Sequence, residues 1–209
     1  MDREYWDDFY SAAGKGYEID KPSRFAEEVF THMKKGKHVV DLGCGNGRDS
    51  LYFASQGLLV TAIDMSETAI SSLQKQDFTG KIKAHHGDFT DTGLMKEASC
   101  DYLYSRFTIH AITARQEDSL LQNAYRALVS QGLFFIEVRS VKDDIFGKGD
   151  MVERNAFIFN DHFRRFIVRE ELEQSLLVIG FKILSSLESR GLAVHKTEDP
   201  VIIRIIAQK

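Results

Sequence analysis

Proline is nearly missing from this sequence: Pro22 and Pro200 are the only two in 209 residues. Neither stands beside a second proline or a cysteine, so no Pro-Pro or Pro-Cys element is present. Cysteine is as scarce. Cys44 and Cys100 lie far apart and form no C-x-x-C pair, which argues against a disulfide scaffold and a thiolate zinc site. His85 and His86 are strand neighbours that point to opposite faces, and no other His, Asp or Cys set has ligand spacing, so no metal is expected. Long apolar runs are missing too. Nothing approaches the ~20 residues of a membrane span, and Met1 to Glu4 leads into no apolar signal-peptide core. The expected location is therefore cytoplasmic, without membrane insertion. A basic excess is also lacking. The 27 Lys and Arg stand against 31 Asp and Glu, a formal net charge of -4, which weighs against long nucleic acid as a partner.

What remains is ordinary for a globular protein, with 43% hydrophobic and 28% charged residues, enough for a single domain over 1–209. An aromatic opening, Tyr5 to Tyr10, is broken by Gly14 and Gly16. A second helix opens at Pro22-Ser23 with Asp20 as its cap, and Gly36 ends it, so residues 1–35 read as a helical cap or lid. Strands and helices then alternate. Strands are expected at 39–42, 58–63, 81–85, 101–104 and 133–138, the last opened by Gly132. Helices are expected at 48–56, 67–76 and 115–130. This alternation predicts a mostly parallel sheet with helices on both faces. The end differs: a helix over 170–178 precedes two strands, 181–187 and 201–207, which read as an antiparallel hairpin added to that sheet. Between them, 139–168 is a stretch of about thirty residues without clear periodicity, and such stretches are usually functional or mobile.

The sharpest local signal is Asp41-Leu42-Gly43-Cys44-Gly45-Asn46-Gly47-Arg48-Asp49, between an expected strand and an expected helix. Gly43 and Gly45 let the backbone turn tightly and approach a ligand. A dinucleotide fingerprint wants a sixth-position glycine, where Arg48 stands. Asp41 and Asp49 bracket the turn with carboxylates, which suits a cationic cofactor better than a pyrophosphate. Asp64 ends the second strand about twenty residues on, where a carboxylate can take both hydroxyls of a ribose. Asp88-Phe89 follows the third strand and could meet an adenine. Asp64 as a helix cap and Asp88 as a turn residue are the plainer alternatives.

These motifs resemble the class I, Rossmann-like, S-adenosylmethionine-dependent methyltransferases. Asp41 to Gly47 looks like their first motif, Asp64 their second-strand acid, Gly87-Asp88-Phe89 their adenine motif and Gly132-Leu133-Phe134-Phe135 the start of their fifth strand. Within them the chain looks nearest to small-molecule enzymes of the tellurite-resistance and thiopurine type, and to those that modify bacterial polysaccharides. The resemblance implies a seven-stranded sheet of order 3-2-1-4-5-7-6 with strand 7 antiparallel. It also implies S-adenosyl-L-methionine as cofactor, S-adenosyl-L-homocysteine as product, and an aromatic lid from Tyr5 and Trp6. The expected cofactor-binding set is Tyr5, Trp6, Asp41, Gly43, Cys44, Gly45, Arg48, Asp64, Met65, Asp88, Phe89, Ser105 and Arg106.

The two isolated prolines leave no room for the Asn/Asp-Pro-Pro-aromatic tetrad of enzymes that methylate exocyclic base amines. The acceptor is instead expected to be small, or the end of a glycan, with its wall built from strands four and five and the insertion 139–168. His110 and His162 are the candidate bases, Glu137 can orient either, and Arg139, Arg164 and Arg165 can clamp a phosphate or carboxylate. Arg164 and Arg165 could equally form a solvated face or pair with Glu170 and Glu171. Residues 142–150 read as a lid. Three functions stay open: methylation of an oxygen on a sugar hydroxyl, phosphate or carboxylate; methylation of sulfur, selenium or nitrogen in detoxification; and a non-catalytic cofactor-binding partner subunit. Monomer and homodimer are both left open.

Overall fold

The computed structural model describes residues 6–8, 10–11, 21–90 and 99–209. Strand β1 (His38–Leu42) is buried along almost its whole length and lies third in a seven-stranded sheet. Its neighbours are β2 (Leu59–Asp64) and β4 (Cys100–Arg106), both parallel to it, with β3 (Ile82–His86) outside β2 and β5 (Leu128–Arg139) outside β4. The hairpin of β9 (Lys182–Ser189) and β10 (Ile202–Gln208) completes the sheet, and β10 runs antiparallel to both β5 and β9.

The order expected from the sequence, 3-2-1-4-5-7-6, is corrected by this topology to β3-β2-β1-β4-β5-β10-β9. The sheet is mixed, and the strands beyond β5 are the tenth and ninth of the chain. Three strands intervene: β6 (Asp150–Glu153), β7 (Ala156–Phe159) and β8 (His162–Arg165) form a second, antiparallel sheet of their own. They occupy most of the segment that showed no periodicity, because strands of four residues are too short to display an alternation. Two-residue loops join them. Asn155 (φ +61), Asn160 (φ +54) and Asp161 (φ +56) adopt the left-handed conformation that Asn and Asp tolerate in tight hairpin turns.

The helices cover both faces. On one side α1 (Arg24–Phe30) and α2 (Arg48–Ser55) bring Phe25 and Phe53 against Val39, Tyr102, Tyr104 and Phe135. On the other, α4 (Ala114–Ala127) and α5 (Arg169–Ile179) set Leu120, Leu121, Leu172 and Leu176 against Leu42, Leu103, Phe134, Ile136 and Ile203. The period of two along β4 and β5 thus sends alternate residues into separate cores. Helix α3 (Glu67–Gln76) starts at Ser66, whose hydroxyl accepts the Ala69 amide, and α4 starts at a reciprocal Thr113–Gln116 capping box. Expected as 115–130, α4 ends at Ala127, and β5 begins at Leu128 rather than beyond Gly132. Among the described residues no helix is long and apolar enough to cross a membrane.

Candidate functional site

The turn between β1 and α2 sits at the carboxyl edge of the sheet. Gly43 (φ +69) and Gly45 (φ +56) have conformations that a side chain would strain, and both approach neighbours closely. A Cβ at Gly43 would lie 2.3 Å from Thr108 Cγ2, and one at Gly45 would lie 2.2 Å from the Tyr10 hydroxyl. The Gly43 and Cys44 amides both donate to the Ile63 carbonyl, at 2.8 and 3.0 Å. Asp64, at the end of β2, accepts the Gly45 amide on Oδ2 at 2.8 Å and the Ser66 amide on Oδ1 at 2.9 Å. The glycine turn and the second-strand acid are therefore one hydrogen-bonded unit.

A cavity of about 480 Å³ opens above this unit. Its floor includes Gly43, Cys44, Gly45, Asn46, Asp41, Arg48 and Asp49; Asp64, Met65 and Phe89 flank it. Trp6 and Tyr10 also line it, with rings stacked 6.1 Å apart. Tyr5 lies outside the described residues. Arg106, Phe107, Thr108, Glu137, Arg139 and Arg204 line it as well, with Leu192 to His195 from the β9–β10 connection, and Thr108 lies directly against Gly43.

Carboxylates dominate the floor. Asp41 is buried and accepts the Ser50 hydroxyl at 2.6 Å. Burial pushes its pKa up to about 7 against the pull of that bond, and the nearby Asp49 and Asp64 push the same way. Burial also raises Asp64, opposed by the Ser66 and Gly45 amides. Asp49 accepts the Ser23 amide and hydroxyl, each at 2.7 Å, and the Tyr104 hydroxyl at 2.8 Å, which ties α1 and β4 to the start of α2. Arg48 lies beside it, its Nε 3.4 Å from Asp49 Oδ1.

Not every residue read from the sequence reaches this cavity. Asp88 folds back on its own turn, where its Oδ1 accepts the Thr90 amide at 2.8 Å and hydroxyl at 2.7 Å, so the turn role is the one observed. Ser105 is fully buried and bonded to the Thr108 hydroxyl. Glu137 does line the cavity but is not placed to orient a histidine. Its two oxygens face Arg106 Nε at 2.9 Å and Arg204 Nε at 2.7 Å.

His110 is buried beneath Phe107, with ring centroids 5.4 Å apart, and lies outside the cavity wall. Burial holds its pKa well below the usual histidine value, with Arg164, Arg139, His162 and Arg165 adding to the effect. His162 and Arg164 line a second cavity of about 360 Å³ beside the first, and Arg139 borders both. Trp6 reaches across to His162, edge to face at 5.2 Å.

Of Arg164 and Arg165, one of which was expected to face the acceptor, Arg165 is removed from the candidate set. Strand alternation sends Arg165 inward, where it pairs with Glu117 and donates to the Ile112 carbonyl at 3.0 Å. Among the described residues no three His, Cys, Asp or Glu side chains are grouped as a metal would require. Sequence reasoning placed Asp49 at the turn but missed its bonds to Ser23 and Tyr104, and it missed Arg204 and the wall at 192–200. The long connection between the last two strands was the available signal for that wall.

An α/β sheet whose first turn is glycine-rich and bonded to a second-strand acid has the architecture of the doubly wound class. Residues 39–132 match a family model described as a methyltransferase domain. Over 104 residues, 49% of this chain and 42% of the relative, the chain is 31% identical to the cypemycin N-terminal methyltransferase of a Streptomyces species. It is 42% identical to the ubiquinone biosynthesis O-methyltransferase of Coxiella burnetii over 67 residues, 30% of this chain and 28% of that one. These matches span less than half the length of either relative. The fold of an S-adenosylmethionine-dependent methyltransferase from Methanosarcina mazei superposes with a TM-score of 0.76 at 17% identity, covering 87% of this chain and 96% of that one. The likeness is thus to methyltransferases, in sequence within residues 39–132 and in fold over most of the chain.

Proposed function

We propose that this protein transfers a methyl group from S-adenosylmethionine to an oxygen of a small or terminal acceptor: a phosphate, a carboxylate or a sugar hydroxyl. The supporting observation is one cavity lined both by the glycine turn with its carboxylates and by Arg106, Arg139 and Arg204. The floor fits the cofactor. A carboxylate has about four acceptor sites, and Asp64 gives one each to Gly45 and Ser66, which leaves acceptor capacity for ribose hydroxyls. Phe89, buried and bordering the cavity, offers an apolar face to the base. Asp41 and Asp49 surround the amino-acid end with negative charge, which favours a cation.

When bound, the cofactor supplies an electrophilic methyl and its own leaving group. The chain's task is to align the acceptor and exclude water. Trp6 and Tyr10 cover the turn and Arg139 lines the same cavity. An ionised oxygen needs no general base, which fits a site whose lining does not include His110.

A second reading, transfer to sulfur, selenium or nitrogen, is favoured by the apolar part of the same lining: Phe107, Leu192, Ala193 and Val194. The test is production of S-adenosylhomocysteine with labelled cofactor and a panel of phosphates, carboxylic acids, sugars, thiols and amines. Turnover confined to oxyanions or hydroxyls is the expected result. Turnover confined to thiols, selenols or amines would overturn the oxygen assignment, and no turnover despite cofactor binding would favour a non-catalytic partner.

A further inference from the structure

The buried cations of the acceptor wall are not equivalent. Arg204 is fully engaged: Nε meets Glu137, one terminal nitrogen pairs with Glu28, and the other donates to the Leu192 carbonyl at 2.8 Å. Arg106 is engaged on one edge only. Its Nε lies 2.9 Å from Glu137, and neither terminal nitrogen has a hydrogen-bond or ion-pair partner among the described residues. The side chain is 26% exposed and lines the cavity, so an anchored guanidinium presents an unfilled donor fork to it.

Phe107 makes this arrangement deliberate. It takes φ +58, a left-handed conformation that bulky residues rarely adopt. Its amide is held by the Glu137 carbonyl at 2.8 Å, the neighbour of Arg106 in the sheet register. In that conformation the ring lies under two guanidiniums, Arg106 at 4.6 Å and Arg139 at 5.9 Å. Arg139 is held by the buried Asp143 at 2.9 Å, and its other terminal nitrogen lies 3.6 Å from the exposed Glu198.

Resting on the proposed function, we infer that Arg106, Phe107 and Arg139 form a binding site for an oxyanion, carboxylate or phosphate, carried by the acceptor. A planar fork held by a carboxylate on one edge and an aromatic face below is preorganised for two parallel bonds to such a group. Arg106, read from the sequence as a cofactor contact, is thereby moved to the acceptor. Arg48 stands on the glycine-turn side of the same cavity and can serve the carboxylate of the cofactor. Arg106 and Arg139 line that cavity too, together with Leu192 to Val194, and are joined to each other by the Phe107 ring.

Two measurements separate this inference from the function it rests on. Calorimetry with S-adenosylhomocysteine tests the function: no binding overturns that reading. The fluorescence of Trp6, the single tryptophan, titrated with inorganic phosphate and with benzoate, with and without S-adenosylhomocysteine, tests the oxyanion site. Saturation by phosphate alone assigns a phosphate acceptor. Saturation by benzoate assigns a carboxylate on an apolar body. Arg106→Gln should weaken the anion that binds by about 10-fold or more, and Arg106→Lys, which keeps the charge but loses the fork, should recover only part. Arg139→Lys, melting like the wild type, should weaken it less. The inference is overturned if neither anion saturates. It is also overturned if Arg106→Gln lowers S-adenosylhomocysteine affinity as much as anion affinity, which would give the guanidinium to the cofactor's own carboxylate.

Discussion

Asp64 holds the Gly45 amide at 2.8 Å, so the tip of the second strand and the crest of the first turn move as one body. Asp64→Ala removes the brace and, on the proposed function, a contact to the cofactor's sugar. Calorimetry should show S-adenosylhomocysteine affinity falling by about 10- to 100-fold, the range of a lost charged hydrogen bond. Asp64→Asn should fall between this variant and the wild type.

The two glycines of the turn should fail in different ways. Gly43→Ala drives a Cβ to 2.3 Å from Thr108 Cγ2 inside the fold and should cost about 1–3 kcal/mol in a denaturant melt. Gly45→Ala meets the far end of Tyr10 at 2.2 Å, and Tyr10 can swing away. Stability should fall less there, while accessibility of Trp6 to a quencher rises.

Asp41, pushed up to about 7 by burial, works against the folded state as pH rises. Between the unfolded carboxylate range near 4 and that value, the folded chain holds a proton that the unfolded chain has released, so stability drops across this window. Asp41→Asn should flatten that slope in melts of the ligand-free protein. A cationic cofactor favours the ionised carboxylate, so cofactor affinity should rise over the same window and level off above it.

His110 has the opposite sign. Held neutral in the fold, it takes up a proton more readily in the unfolded chain, so stability is present above the unfolded histidine pKa, about 6.5, and is lost as pH falls below it. His110→Asn should remove part of the acid limb between roughly pH 6.5 and 5. An unchanged limb would refute the assignment.

Arg165 and Glu117 form a buried pair away from the cavity. Arg165→Met leaves the carboxylate unpaired and should cost about 3–5 kcal/mol, with S-adenosylhomocysteine affinity of the folded fraction unchanged. The double variant Arg165→Met with Glu117→Leu should recover much of that loss.

The glycine turn and its strand-tip acid were legible because their signals are local. A strand, a glycine turn and a helix start are written consecutively from Val39 to Asp49, and Asp64 follows at the next strand tip. The acceptor side was not, because it is assembled from distant parts. Residues 139–168 hide three strands of four residues each, and the left-handed Asn160-Asp161 turn was their clearest trace. Which of Arg164 and Arg165 faces the cavity follows from that register, which adjacent residues do not reveal. The Ser23–Asp49–Tyr104 network joins three elements that no local pattern connects.

The wall at 192–200 is carried by the connection into β10, and β10 pairs between β5 and β9. Half of the cleft therefore does not exist until that strand has inserted. A ligand that spans both halves can recognise only the completed sheet. Its presence should slow the escape from the native state far more than it hastens arrival there.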